Sequence, residues 1–168
     1  SNVSAGIVLG NETFDDLIIS SSADVNYHLT DTIITGRIEG GDGEDNFGIS
    51  GNATIGTINL GLSPTGSFER ISLAGNAEVN ILNLGDGQKD FEINQNARIT
   101  TLNLENSTGS FDFEGSSQIG NLVGGDTGTS INLEDAAGIT MGSLGGGSDS
   151  LRIRLSPSWD SDIQLDGG

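Results

Sequence analysis

The residues of this chain best suited to chemistry are carboxylates, and two arrangements of them stand out. In Gly40-Gly-Asp-Gly-Glu-Asp-Asn-Phe-Gly48, the side chains of Asp42, Glu44 and Asp45 follow one another between glycines. Oxygen donors gathered in a turn suit calcium, a hard cation that takes about six to eight oxygen ligands. The competing reading is conformational, because Gly-Asp-Gly makes a tight turn between strands without any metal. The second arrangement is Glu92 with Asp112, twenty residues on, and Asp15 with Asp16 is a lesser pair of the same kind. Two carboxyls held side by side can work as acid and base, one of them raised in pKa by the other's charge. Cysteine is absent, which excludes disulfides and thiolate metal sites.

Whether residues twenty apart can meet depends on the elements that carry them. Between Phe91 and Ile153 the chain repeats every twenty residues. Phe91-Glu-Ile93 recurs as Phe111-Asp-Phe113, Ile131-Asn-Leu133 and Leu151-Arg-Ile153. Ala97-Arg-Ile99 recurs as Ser117-Gln-Ile119, Ala137-Gly-Ile139 and Pro157-Ser-Trp159, and Leu102-Asn-Leu104 is echoed at Leu122 and Leu144. Apolar columns at such a period mark a solenoid. Carried backward, the first column reads Leu17, Phe47, Ile71, Phe91, Phe111, Ile131 and Leu151. The third position reads Ile19, Ile49, Leu73, Ile93, Phe113, Leu133 and Ile153, and the ninth runs from Val25 through Ile55 to Trp159. This alignment implies an added strand near Ile33, Ile34 and Ile38 within an insert over 30–46, and a loop over 61–70.

An apolar-x-apolar pair points both its apolar side chains to one face of a strand. Three pairs per coil, separated by Gly, Asn and Ser, predict three short strands bent around a core. The expected fold is therefore all-β: a parallel β-helix of about seven coils of 20–30 residues, right-handed by analogy with parallel-strand crossovers. Residues 1–16 read as an irregular N-terminal coil, 17–155 as regular coils and 156–168 as a fraying last coil. The whole reads as one solenoid cut from a longer rod. Asn52, Asn76 and Asn96 precede the small residue of each coil, where asparagine tolerates left-handed angles and can stack in amide ladders. His28, the only histidine, aligns with a core column and is expected to be buried or at a coil edge; Trp159 is expected to seal the last coil.

The formal charge of −18, with six Lys and Arg, disfavours nucleic acid and anionic membranes as partners. Glycine, at 27 residues, argues against helices. Threonines 54, 57, 100, 101 and 140 do not fall into one paired column, which argues against an ice-binding face.

Two resemblances bear on function. The segment Gly40–Gly48 fits the nonapeptide G-G-x-G-x-D-x-U-x and resembles the RTX repeat family, whose turns ligate calcium. That resemblance implies Asp45 as a ligand, with Asp42 beside it and Phe47 pointing inward. Leu144–Arg152 keeps Asp149 and Leu151 but lacks the first glycine, while Leu84–Phe91 has Lys89 at the ligand position. The wider pattern, GNATIGTINLG and GNAEVNILNLGDGQKDFEI, is similar to the passenger repeats of bacterial autotransporters and related secreted adhesins. It implies a non-enzymatic stalk or adhesive passenger at the bacterial cell surface. Its partner would be a surface protein or glycan of a host or neighbouring cell, or another copy meeting it at the solenoid ends. The rival expectation is a β-helix lyase or hydrolase acting on polysaccharide through Glu92 and Asp112.

Overall fold

The structure is a computed structural model that describes residues 5–18, 24–41, 43–61, 68–155 and 164–167. Its strands run in chain order β1 (Ala5–Gly10), β2 (Thr13–Phe14), β3 (Leu17–Ile18), β4 (Val25–Thr30), β5 (Ile33–Glu39) and β6 (Asn46–Ser50). Next come β7 (Thr54–Asn59), β8 (Phe68–Leu73), β9 (Glu78–Asn83), β10 (Gly87–Ile93), β11 (Arg98–Asn103) and β12 (Ser107–Phe113). The last are β13 (Gln118–Val123), β14 (Ser130–Asp135), β15 (Gly138–Gly145), β16 (Ser150–Leu155) and β17 (Gln164–Gly167). From β4 on, the strands alternate between two parallel sheets. One has eight strands in the order β1-β4-β6-β8-β10-β12-β14-β16; the other has nine, running from β17 back through β5 to β2, with β3 also on β5. The fold is thus the expected all-β parallel solenoid, each coil lying on the one before.

Each coil contributes two strands, where the sequence pattern suggested three. The second and third apolar pairs lie on one strand, as on β11, where Ile99 and Leu102 are both buried. Inward residues three apart require a local bend, and the pairing of β11 with β13 passes from Ile99↔Ile119 directly to Thr101↔Asn121. Side chains from the two sheets meet in one core that includes Ile55, Ile58, Ile71, Phe91, Leu102 and Phe111. The small column Ala53, Ala77, Ala97, Ser117 and Ala137 is fully enclosed.

The register of the early coils differs from the sequence alignment. Leu17 does not head the first column: it pairs with Ile38 in the second sheet. The residue stacked on Phe47 is Tyr27, which in turn sits on Ile7. The segment 30–46 is therefore not an insert: it lies within the ordinary twenty-residue step from Tyr27 to Phe47, and β5 is that coil's regular second-sheet strand. Val25 belongs to the first sheet, and His28 is exposed on that sheet's outer face between Val8 and Gly48 rather than in a core column. Leu17-Ile-Ile19 imitates the apolar pair, whereas Tyr27 carries a hydroxyl that disguises its core role. The expectations for Trp159 and for the last coil over 156–168 fall on residues outside the described ones or on strand residues without described side chains.

The asparagine expectation divides. The left-handed residues at the corner are Asp31, Gly51, Gly75, Gln95, Gly115 and Asp135, one position before the asparagines. The amide ladder is present: Asn76 Nδ2 donates to Asn52 Oδ1 at 3.1 Å, and Asn96 Nδ2 to Asn76 Oδ1 at 3.2 Å. A second ladder joins Asn103, Asn83 and Asn59, ending on Glu39 Oε1.

The register makes a direct prediction. Tyr27 is fully buried, with its ring stacked on Phe47 at 4.1 Å between centroids. Tyr27→Ala should therefore lose about 3–5 kcal/mol in denaturant unfolding, as for other buried aromatics. Ile18→Ala, at a side chain 53% exposed, should be nearly neutral.

Candidate functional site

The first sheet's strands begin with an inward position that is polar in the middle coils. Glu69, Lys89 and Gly109 are paired at this position, and one residue before the register of the neighbouring strands it is continued by Val25, Asp45, Thr129 and Asp149. Period-two alternation turns all of them toward the same side as Phe47, Ile71 and Phe91. Asp45, Glu69 and Lys89 are consequently buried. Lys89 Nζ forms an ion pair with Glu69 Oε2, both side chains fully enclosed, and donates a further bond to the Asp86 carbonyl at 2.9 Å. A charge taken out of water needs such partners, because its desolvation is worth several kcal/mol. Gly109 follows Lys89 in the column with φ +136°, and a Cβ there would run into the Lys89 carbonyl.

Asp45 satisfies a different need. Its Oδ1 accepts the Val25 N–H at 2.9 Å, one coil back. Asp149 does the same for Thr129, accepting its N–H at 2.9 Å and its hydroxyl at 3.0 Å. The two aspartates that fit the nonapeptide pattern thus share one structural task. Burial raises the Asp45 pKa above the ordinary value; the N–H groups of Val25 and Gly41 oppose the rise, Asp24 adds to it and Lys89 lowers it. Among the described residues Asp45 Oδ2 has no hydrogen-bond partner. Tyr27, whose hydroxyl also lacks one, is raised by burial and by the Asp45 charge.

Over this column the surface opens into a cleft of about 600 Å³, bordered by Asp24, Glu44, Asp45, Phe68, Arg70 and Asp90. Glu44 is exposed, and its backbone N–H donates to Asp24 Oδ1 at 3.1 Å. Arg70 Nε bonds Asp90 Oδ2 at 2.9 Å, in a pair open to solvent. Of the three residues suggested for calcium, Glu44 and Asp45 border the cleft and Asp42 lies outside the described residues. A second groove, of about 450 Å³, lies along the other sheet beside Thr54, Glu78, Arg98 and Thr100.

The candidate catalytic pair is brought together: Glu92 and Asp112 face each other in the β10–β12 register. Both carboxylates already hold neighbours. Glu92 Oε1 accepts from Asn94 Nδ2 at 2.9 Å, while Asp112 accepts from Asn132 Nδ2 at 2.5 Å and from the Ser110 hydroxyl at 3.1 Å. Glu134 is paired with Arg154 at 3.1 Å. Beside them the Glu114 carboxyl is raised by desolvation against the sheet, then by the charges of Glu92, Glu134, Asp112 and Asp135. Asp15 and Asp16 are exposed; Asp15 accepts from the Thr35 hydroxyl at 3.3 Å and Asp16 from the Arg37 N–H at 2.9 Å.

Sequence reading missed Glu69, Lys89 and Phe68. The signal for Glu69 and Lys89 was the period-two step back from each apolar pair, which lands on Asp45, Glu69, Lys89 and Asp149, whereas Phe68 carries no such signal. Comparison with protein-family models, curated proteins and solved structures finds no match.

Two predictions follow from these charges. Lys89→Met removes the buried ion-pair partner of Glu69 and should cost roughly 3–5 kcal/mol in chemical denaturation, with most of the loss recovered when Glu69→Leu is added. Glu114 binds its proton more readily when folded, so ionisation costs stability as pH rises through its raised pKa, and no cost remains below the unfolded value. Glu114→Gln should therefore melt above the parent at pH 7, and the difference should close as pH falls through about 4.

Proposed function

We propose that this chain is a non-enzymatic segment of a secreted bacterial surface protein, serving as a stalk or adhesive passenger. The observation that carries the proposal is the use of its outward polar side chains. They bond mainly to the equivalent residue one coil away, as in the asparagine ladders, Asp112 with Asn132 and Arg154 with Glu134. Such columns stiffen a rod and leave a long surface on which a partner can rest. The likeness of the repeats to autotransporter passengers supports placement outside the cell, with a surface protein or glycan of another cell as the partner. Fluorescent beads coated with the protein should be retained on layers of host or bacterial cells above the level of albumin-coated beads. Equal retention on every layer would remove the adhesive role.

A second reading keeps one observation in its favour. Glu114, its pKa raised from the ordinary value by desolvation and by neighbouring charges, stands beside the Glu92–Asp112 pair, and a carboxyl shifted upward next to carboxylates is the arrangement that glycoside or uronide cleavage uses. Incubation with a panel of acidic polysaccharides should give no new reducing or unsaturated ends. Turnover that Glu92→Gln abolishes would replace the rod reading with an enzyme.

Calcium remains open to the same treatment. On the conformational reading of the segment, supported by Asp45 holding the Val25 N–H, the melting midpoint should be equal in millimolar calcium and in chelator. A rise with calcium, lost in Asp45→Ala, would establish a site, because ligand binding to the folded state must stabilise it.

A further inference from the structure

Phe68 is the feature that rod-building does not explain. Among the described residues it is the only Phe, Tyr or Trp that is exposed, at 47%. It stands on the wall of the 600 Å³ cleft, in register with Gln88 and one residue before buried Glu69. The same cleft is lined by the carboxylates of Asp24, Glu44 and Asp90, with Asp45 in its wall. Asp45 is 1% exposed, and its Oδ2 has no hydrogen-bond partner among the described residues. The two cations of the cleft are each answered within the chain, Arg70 by Asp90 and Lys89 by Glu69. Carboxylates therefore outnumber cations, so the cleft repels anions and draws in positive charge.

We infer that this cleft binds a cationic side chain, guanidinium or ammonium, presented by a basic segment of a partner protein. The Phe68 ring supplies a face for the cation, an attraction that strengthens as the site is desolvated. Glu44 and Asp24 supply acceptors at the rim. Formal charge of −18 over the whole chain steers such a partner toward the rod. The inference deepens the adhesive reading and rests on it for the partner being another cell's protein, though not for the chemistry of the cleft.

The test is a titration of isotope-labelled protein with a tetra-arginine peptide at physiological salt, followed by backbone amide shifts. Saturable shifts should cluster at residues 24–26, 44–46, 68–70 and 88–90. Binding should weaken roughly tenfold in Phe68→Ala, and also in Glu44→Gln, with thermal melts confirming that both exposed sites leave the fold intact. Neutral cellotetraose should move none of these amides. Shifts spread along all acidic columns, or unaltered in Phe68→Ala, would overturn the inference. Saturable cellotetraose binding at the same amides would overturn it in favour of a saccharide site. If the peptide binds while coated beads adhere to no cell, the adhesive reading fails and the cleft stands; adhesion with no peptide response refutes the cleft.

Discussion

The structure depends on one constraint: every coil hydrogen-bonds the coil before it through parallel, in-register backbone. The bonding extends beyond the strands into the corners. Asn76 N donates to Gly51 O at 2.7 Å, Asn96 N to Gly75 O at 3.0 Å and Ser116 N to Gln95 O at 2.6 Å. Equivalent residues are thereby stacked about 4.8 Å apart, whatever their side chains. A side chain placed inward in one coil has its immediate neighbours chosen for it. Apolar columns satisfy this at once, and small residues repeat at the enclosed corner.

The same constraint makes the polar inward column instructive. Asp45 and Asp149 each accept the N–H of the column residue one coil back. Glu69 and Lys89 satisfy each other, and Gly109 leaves room above Lys89. One geometric position thus has three physical solutions within a few coils. Its charged members also shape the cleft outside, where the acidic rim and Phe68 meet. Core electrostatics and surface recognition are consequently linked at one edge of the first sheet.

Much of this was legible in the sequence because stacking repeats the pattern. From Phe91 onward the columns identify the solenoid, and the meeting of Glu92 with Asp112 follows from their spacing. Legibility failed where chemistry disguised position. Tyr27, whose hydroxyl hides its place, fills a column that the sequence pattern assigned to Leu17, and Leu17-Ile-Ile19 looked apolar enough for one that it does not enter. Asp45 fits a metal-binding consensus, and one of its carboxylate oxygens also accepts the Val25 N–H, a partner that only the three-dimensional register reveals. Lys89 seemed a departure from that consensus, whereas burial opposite Glu69 gives it a role of its own. Glu114 illustrates the reverse: its column was visible, but its displaced titration comes from a sheet surface and four neighbouring carboxylates.

The central claim is the coil-by-coil register from the early coils onward, twenty residues per step except for twenty-four between Phe47 and Ile71, since the core, the buried charges and the cleft all follow from it. It places His28, Asp112, Asn132 and Arg152 in one outward column. The chain has no cysteine, so paired spin labels can be introduced without background. Distances from a label at position 28 to labels at 112, 132 and 152 should centre near about 19, 24 and 29 Å, rising evenly by about 4.8 Å per coil. Distances that fail to rise evenly, or a separate offset for position 28 alone, would contradict the register and the account built on it.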